Sequence, residues 1–387
     1  MEKLELKYGL NPNQKDAYVY RECGLPIDVL NGRAGYINLL DALNGWQLVS
    51  DLKAATGFPS ACSFKHVSPA GAAVGVPLTE NEKRMYFVKD NPSPLAAAYI
   101  RARGTDRMSS FGDFIALSDI CDVSTAAVIA KEVSDGIIAP GYEVEALSLL
   151  KAKKHGNYTI IQIDSAYKAE ETEKRTVFGI TFSQQRNDFM PGDETFSNPV
   201  TKRREIPESA HLDLIVSLLT LKYTQSNSVC LAFHGQTTGV GAGQQSRLHC
   251  TRLAADKSDI WQLRQCEKVL SLPFKKGLSR NDKDNVIVQY LSPEPEIDVI
   301  ESWREYFTVK PDPMSADEKR EYLLSLSGMS LASDAFFPFP DNIIRAERSA
   351  VSYISQPGGS IRDDLVIEEA DKAGIVMFMT GKRLFHH

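Results

Sequence analysis

The chain has 387 residues, a formal net charge of −6 and a charged fraction of 24%. This length favours two or three domains, or one fold built from two similar halves. An acidic chain argues against nucleic-acid binding, which usually needs a basic face, and no apolar run reaches the ~18 residues of a membrane span. The N-terminus has no apolar signal segment, so we expect a cytoplasmic protein without nucleic-acid or membrane partners.

The six cysteines do not occur at the spacings of a zinc site, such as CxxC. Free thiols and no bound zinc are therefore expected. The cysteines are Cys23, Cys62, Cys121, Cys230, Cys250 and Cys266.

In the first half, apolar residues at three- and four-residue steps predict a helix over 37–55. Gly57 and Pro59 are typical of its end. A strand is predicted over 61–64, running into Lys65 and His66, and a small-residue segment follows at 70–75.

The second half repeats this order, with a helix beginning near Pro207, a strand over 228–233 and a glycine-rich segment at 239–243. Helix, strand and glycine-rich turn, twice, predict an α/β fold of two related units, 1–166 and 207–387. The polar connector 167–206 is predicted to hold a hairpin at 177–182. The 239–243 segment lacks GxGxxG spacing, which favours a strand with close backbone packing over a phosphate loop.

Lys65 and His66 are the strongest candidates for catalytic residues, since they follow the end of a predicted strand. A histidine there can move a proton and a lysine can stabilise negative charge; by these residues alone, a surface lysine beside a turn histidine is the commoner explanation. Asp135 lies in a polar region that suits either ligand loops or turns and caps. The segment 336–342 is either a rigid apolar wall for a planar ligand or a packed core loop. The aromatic and basic terminus 383–387 indicates a docked tail.

Several long motifs carry a family resemblance. They are YGLNP (8–12), SFKHVSPAG (63–71), RMSSFGD (107–113), VSDGIIAPG (133–141), KYTQSNS (222–228), GAGQQSR (241–247), SDAFFP (333–338) and the terminus 383–387. From Tyr8 to His387 the chain resembles aminoimidazole-carboxamide ribonucleotide (AICAR) formyltransferase, the transformylase part of a bifunctional enzyme that also carries inosine monophosphate (IMP) cyclohydrolase. The resemblance implies two tandem cytidine-deaminase-like α/β/α units without the zinc site, in a homodimer with shared active sites.

The resemblance also implies transfer of the formyl group of 10-formyltetrahydrofolate to the 5-amino group of AICAR. His66 would then accept the proton, Lys65 would stabilise the tetrahedral intermediate, and Asn227 would contact the reacting centre. The positions implied for AICAR binding are Lys7, Tyr8, Gly112, Asp135, Arg247, Phe336 and Arg383. Those implied for folate are Met108, Leu248, Pro338, Asp341, Ser360 and Ile361. A potassium site is implied at Thr224, Ser226, Ser228 and Asp334, although hydrogen-bonded turns explain the same four residues.

Two positions depart from the family pattern. Lys7 stands where the family often has arginine, which removes bidentate phosphate geometry, and Pro340 stands where relatives carry a charge. The cyclohydrolase half has no counterpart, so we expect no cyclohydrolase activity of the chain itself and a separate IMP cyclohydrolase as partner. Two alternatives are a different one-carbon donor, for which no GxxxxGK[ST] loop is present, and a catalytically silent scaffold, which the retained Lys65 and His66 disfavour.

Overall fold

The computed structural model describes residues 2–387, in which strands and helices alternate along the chain. The strands are β1 (Glu2–Glu5), β2 (Tyr18–Arg21), β3 (Ile27–Asn31), β4 (Ser60–Lys65), β5 (Ser68–Val74), β6 (Asp113–Leu117), β7 (Ser134–Ala139), β8 (Thr159–Ile163), β9 (Thr172–Val177), β10 (Ile180–Gln185), β11 (Val229–Phe233), β12 (Gln236–Gly241), β13 (Met329–Ser333), β14 (Val351–Gln356) and β15 (Val376–Met379). The helices are α1 (Tyr36–Thr56), α2 (Glu80–Met85), α3 (Pro94–Gly104), α4 (Val123–Ile129), α5 (Val144–Lys151), α6 (Glu208–Lys222), α7 (Arg247–Leu263), α8 (Glu267–Leu270), α9 (Arg280–Leu291), α10 (Trp303–Tyr306), α11 (Ala316–Leu324), α12 (Asp341–Glu347) and α13 (Asp363–Lys372).

One mixed sheet of eleven strands runs through both halves in the order β15-β14-β13-β11-β12-β5-β4-β6-β7-β8-β3. The antiparallel hairpins β4–β5 and β11–β12 lie at its centre and pair with each other through Gln236 and Ala73. Parallel strands follow outward on each side, β6-β7-β8 in the first half and β13-β14-β15 in the second. The predicted α/β class is confirmed. The assignment to deaminase-like units and the boundaries at 166 and 207 stay predictions.

Helix α1 confirms the helix predicted over 37–55, with one more residue at each end. Its buried side includes Leu39, Leu48 and Leu52, and it ends at Gly57, whose φ of +74° places the cap in the left-handed region. The helix packs against β4 and β6. The apolar stripe therefore fixes one face of the first half against the sheet.

Both glycine-rich segments lie largely in strands, β5 and β12. The prediction of glycine-rich turns is therefore wrong, and the prediction of a strand in the 239–243 segment is confirmed as far as Gly241. They are rich in glycine because helices approach them closely. A Cβ at Gly71 would lie 2.1 Å from the carbonyl oxygen of Ala102 in α3, and one at Gly239 would lie 2.0 Å from that of Ala254 in α7. Neither position has room for a side chain.

The connector contains the predicted hairpin, formed by β9 and β10 as a separate two-stranded ribbon. Every residue of its two strands is exposed. Within residues 2–387, no helix has the length and apolar character needed to cross a membrane. The β9–β10 hairpin projects from the main sheet, whereas Phe196 of the same connector is buried in the core.

Candidate active site

The site is built at one end of the central sheet, which we call the Lys65 end. β4 finishes there at Lys65, and β6 and β7 begin there because β6 is antiparallel to β4. On the other side of the β5–β12 seam, β11 begins there and β13 finishes there. The loops that carry most of the predicted site residues therefore emerge on the same end of the sheet.

His66 occupies the two-residue turn between β4 and β5. His66 and Val67 have φ values of +54° and +59°, which is the left-handed pair of a type I′ hairpin turn. Side-chain-bearing residues adopt this geometry only when the surroundings hold them there. The holding group is Asp41 of α1, whose Oδ1 accepts a hydrogen bond from the backbone N–H of Val67 at 2.7 Å.

Asp41 is almost completely buried beneath this turn. Burial raises the pKa of Asp41 to about 6, while hydrogen bonds from the backbone of Val67 and His66 act in the opposite direction. Sequence reasoning missed this residue. The signal that was available is an aspartate inside the predicted helix 37–55, where a polar residue among apolar neighbours indicates a specific buried partner.

Lys65 ties the turn to the next loop of the same half. Its ammonium donates to the backbone carbonyl of Phe111 at 2.6 Å, and the N–H of Gly112 donates to the carbonyl of Val133 at 3.0 Å. Gly112 is thereby brought beside Lys65, and Met108 lies in the same turn, since the N–H of Phe111 donates to the carbonyl of Met108 at 3.3 Å. Asp135, the second residue of β7, is half-exposed and pairs with Lys154 at 2.6 Å.

Three other aspartates of this region are held by partners within the protein. Asp122 caps α4 by accepting from the N–H of Thr125 at 2.7 Å, and Asp119 pairs with Lys53. Asp113 is buried against Arg103 at 2.9 Å. A cap or an ion pair therefore accounts for each of these three residues without a ligand.

Asn227 lies in the loop before β11, and hydrogen bonds hold both the nitrogen and the oxygen of its side-chain amide. Its Nδ2 donates to the carbonyls of Gln244 and Gln245 at 2.7 and 3.1 Å, and its Oδ1 accepts from Arg247 at 2.7 Å. The same loop reaches the first half, because the N–H of Gln225 donates to the hydroxyl of Ser68 at 3.2 Å. This contact places the Asn227 loop next to the strand that leaves the His66 turn.

Arg247, at the start of α7, is buried and forms an ion pair with Asp334. It also donates to the carbonyl of Ser228 at 2.9 Å. In this arrangement Arg247 braces the loop of Asn227. The contact of Arg247 with the substrate stays a prediction. The guanidinium N–H groups that are not used within the protein would have to make it.

The four residues predicted to hold potassium fall into a cluster and one outlier. The buried carboxylate of Asp334 accepts from the hydroxyls of Ser226 and Ser228 at 2.6 and 2.8 Å, whereas the hydroxyl of Thr224 donates to the carbonyl of Thr220 at 2.7 Å. A hydroxyl that donates its proton keeps lone pairs for a cation. Because Arg247 already pairs with the carboxylate, the set suits a monovalent better than a divalent ion. The oxygen atoms of Ser226, Ser228 and Asp334 therefore fit a potassium ion.

The C-terminal tail is docked, as its composition indicates. Leu384 is buried and its N–H donates to the carbonyl of Asp334 at 2.9 Å, and the N–H of Ser226 donates to the carbonyl of His386 at 3.0 Å. Arg383 stays exposed, with its guanidinium 4.6 Å from the ring centre of Phe385. The tail thus presents a cation at the Lys65 end. Burial lowers the pKa of His386, a residue that the sequence prediction did not include.

Four of the six positions predicted for folate follow β13 or β14. Pro338 and Asp341 follow β13, as does Phe336, which is predicted for AICAR and is 41% exposed. Ser360 and Ile361 follow β14, and Ile361 is completely exposed. Leu248, also predicted for folate, lies in the first turn of α7. Lys7 and Tyr8, which are predicted for AICAR, pass the start of α1. Described contacts join neither Ile361 nor Tyr8 to the catalytic pair; topology alone places them near it.

Together the fold and this end of the sheet define an α/β protein with a fixed Lys-His turn, an oriented amide and an exposed arginine around one face. A family described as "AICARFT/IMPCHase bienzyme" matches residues 1–257. The chain belongs to this family.

Curated relatives cover nearly the whole chain. It is 30% identical over 396 residues to the bifunctional purine biosynthesis protein PurH of Cereibacter sphaeroides, covering 99% of this chain and 59% of the relative. It is also 30% identical over 395 residues to PurH of Sorangium cellulosum, covering 99% of this chain and 58% of the relative. The chain therefore spans just under three fifths of the length of these relatives.

Proposed function

We propose that the protein is an enzyme of purine biosynthesis that transfers the formyl group of 10-formyltetrahydrofolate to the 5-amino group of AICAR. The products are formyl-AICAR and tetrahydrofolate. The observation that supports this most is the Lys65–His66 turn, held by a buried carboxylate and lying beside the loop of Asn227. The family membership and the relatives' role in purine biosynthesis support the same reaction.

In the proposed reaction the amine nitrogen of AICAR attacks the formyl carbon and forms the new C–N bond. His66 accepts the proton that the amine loses, and a positioned base contributes about 10²–10⁴-fold to such a step. The carbonyl oxygen becomes an oxyanion. Collapse of this intermediate breaks the bond to N10 of the folate, and the proton returns to that nitrogen.

Lys65 is suited to stabilise the oxyanion. An ammonium has three donors, and one of them is used on the carbonyl of Phe111, so the lysine can hold its position while two N–H groups face the substrate. Fixed donors aimed at developing charge are worth about 3–4 kcal/mol in comparable sites. Asn227 is proposed to orient the reacting amine or carboxamide through the same amide that Arg247 braces.

Charge supports the substrate assignment. The chain is acidic overall, so binding an anionic ribonucleotide needs a local concentration of positive charge. The exposed Arg383 supplies it at the Lys65 end, with Lys7 as a second, weaker candidate. Phe336 is proposed for the AICAR side of the cleft. The folate side is proposed to consist of Met108, Leu248, Pro338, Asp341, Ser360 and Ile361.

The proposal includes a homodimer with shared active sites, two tandem deaminase-like units, a cytoplasmic location and a potassium ion among Thr224, Ser226, Ser228 and Asp334. When bound, potassium would supply charge compensation to the oxygens of this loop. A separate IMP cyclohydrolase is proposed to consume formyl-AICAR. The same topology on both sides of the β5–β12 seam supports the tandem units.

The test is a spectrophotometric assay with pure protein, 10-formyltetrahydrofolate and AICAR, following tetrahydrofolate release. His66→Ala is expected to remove turnover. His155→Ala is the matched control, because His155 is exposed and also has a left-handed φ of +53°. Binding of both ligands without turnover would indicate another formyl donor or a silent scaffold. Absence of binding would reject the proposal, and IMP formation by the pure chain would reject the expected lack of cyclohydrolase activity.

A further inference from the structure

A second pocket lies far from the Lys65 end, between α2, the last turn of α7 and α9. Its volume is about 330 Å³. The cations that line it are Arg84, Arg264 and Lys283, and no carboxylate is among its lining residues. Arg264 directly follows α7, so about 25 Å of helix, at 1.5 Å per residue, separates the pocket from Arg247.

Arg264 belongs to a buried network with an excess of positive charge. Asp284 pairs with both Arg264 and Arg107, and Glu132 lies 3.0 Å from Arg107. The complete network consists of the four cations Arg103, Arg107, Arg264 and Arg280 and the three anions Asp113, Glu132 and Asp284. One positive charge is therefore left without a counterpart inside it.

The guanidinium of Arg264 is also incompletely satisfied. The residue is 5% exposed, and its buried Nε has no hydrogen-bond partner in the described chain. A buried donor without a partner costs about 1–3 kcal/mol unless a water or ligand fills the position. Arg264 is one of three cations that line the pocket, and this combination of positive lining and an unpartnered donor on a lining residue favours an anionic ligand.

Lys283 is the available cation at the mouth of the pocket. No carboxylate within residues 2–387 lies within ion-pair distance of its ammonium, which sits 5.3 Å from the ring centre of Phe87 and 5.8 Å from that of Phe274. Arg84, by contrast, is held by Glu267 through two contacts of 2.7 Å. Two aromatic rings thus flank one unpaired positive charge.

We propose that this pocket binds a small anion with a single aromatic ring, in the class of aromatic phosphomonoesters. The anionic group would meet Lys283 and Arg264, and the ring would pack against Phe87 and Phe274. The volume is at the small end of the range of ligand pockets, about 300–1,000 Å³, so one ring fits better than a nucleotide with a folate-sized partner. This site is independent of the proposed formyl transfer.

The test is isothermal titration calorimetry with phenyl phosphate on the full chain. We expect saturable binding at one site, with inorganic phosphate and benzyl alcohol, the anion and the ring alone, each binding at least tenfold more weakly. Lys283→Met should weaken phenyl phosphate at least tenfold. The control Lys276→Met, an exposed lysine seven positions earlier in sequence, should leave the affinity within twofold.

A second control separates this pocket from the proposed active site, which also takes a phosphate. Arg383→Gln should leave phenyl phosphate binding unchanged; loss of binding in that variant would place the ligand at the Lys65 end and overturn the inference. No saturable binding, or equal affinity in Lys283→Met and wild type, would overturn it as well. Thermal unfolding followed by circular dichroism establishes that each variant is folded. Arg264 is not substituted, because it holds Asp284 in the buried network.

Discussion

Asp41→Asn tests whether a buried carboxylate positions the His66 turn. Asp41 accepts from the backbone of the turn, and an asparagine of the same shape can replace only one of its two acceptor oxygens. Since a misplacement of about 1 Å can cost about 10²-fold, we expect kcat to fall at least tenfold. The KM values for AICAR and the folate should change little, because Asp41 touches neither ligand in the proposed site.

The same substitution has a calculable effect on stability. Burial raises the pKa of Asp41 from 3.8 to about 6, so between these values the folded state binds a proton that the unfolded state has released. Stability must therefore fall as the pH rises from 4 to above 6. At 1.36 kcal/mol per pKa unit the loss is about 3 kcal/mol.

Asparagine does not titrate, so the variant escapes this loss. The free energy of unfolding of wild type minus that of Asp41→Asn should fall by about 3 kcal/mol between pH 4 and pH 7. Denaturant titrations at both pH values measure it. A difference that does not change with pH would refute the buried, raised-pKa carboxylate.

Asp213 provides a matched control at the opposite end of the sheet. It lies in α6 and accepts from the backbone N–H groups of His234 and Gly235 at 3.0 and 2.6 Å, in the β11–β12 turn. Burial also raises the pKa of Asp213, to about 7. Asp213→Asn should therefore show a similar pH-dependent shift in stability while kcat is retained. Equal loss of kcat in both variants would show that Asp41 acts only through global stability.

Three further outcomes are expected. Lys65→Met should lower kcat about 10²-fold through loss of an oxyanion donor; a change confined to KM in steady-state assays would contradict this role. Arg383→Gln should raise the KM for AICAR about tenfold, since a charged hydrogen bond is worth about 1.5–3 kcal/mol, and should leave the folate KM unchanged; an unchanged KM for AICAR would remove Arg383 from the site. Gly239→Ala should destabilise the protein by about 2 kcal/mol or more in denaturant unfolding, because its Cβ would lie 2.0 Å from the carbonyl of Ala254. The control Gly192→Ala, with no atom within 4 Å of its Cβ, should be nearly neutral.

Local patterns were sufficient for several elements. The apolar spacing over 37–55 with Gly57 after it predicts α1, and the polar hairpin at 177–182 is present as β9 and β10. These features depend on neighbours a few residues apart, which periodicity and turn chemistry report directly. The glycine-rich segments were harder, since glycine serves both turns and crowded strands. Only the approach of α3 and α7 decides between them.

The sequence by itself determined the α/β class, the repeated order of elements and the exposed hairpin of the connector, and its motifs supplied the candidate residues of the site. Tertiary structure decided how these residues are held. Asp41 lies 26 positions from Val67, and Asp334 lies 106 positions from Ser228, so no local pattern reports either contact. The antiparallel seam between β5 and β12 brings the two halves to one end of the sheet. Long-range strand pairing and burial, which short motifs do not encode, bring the candidate residues together.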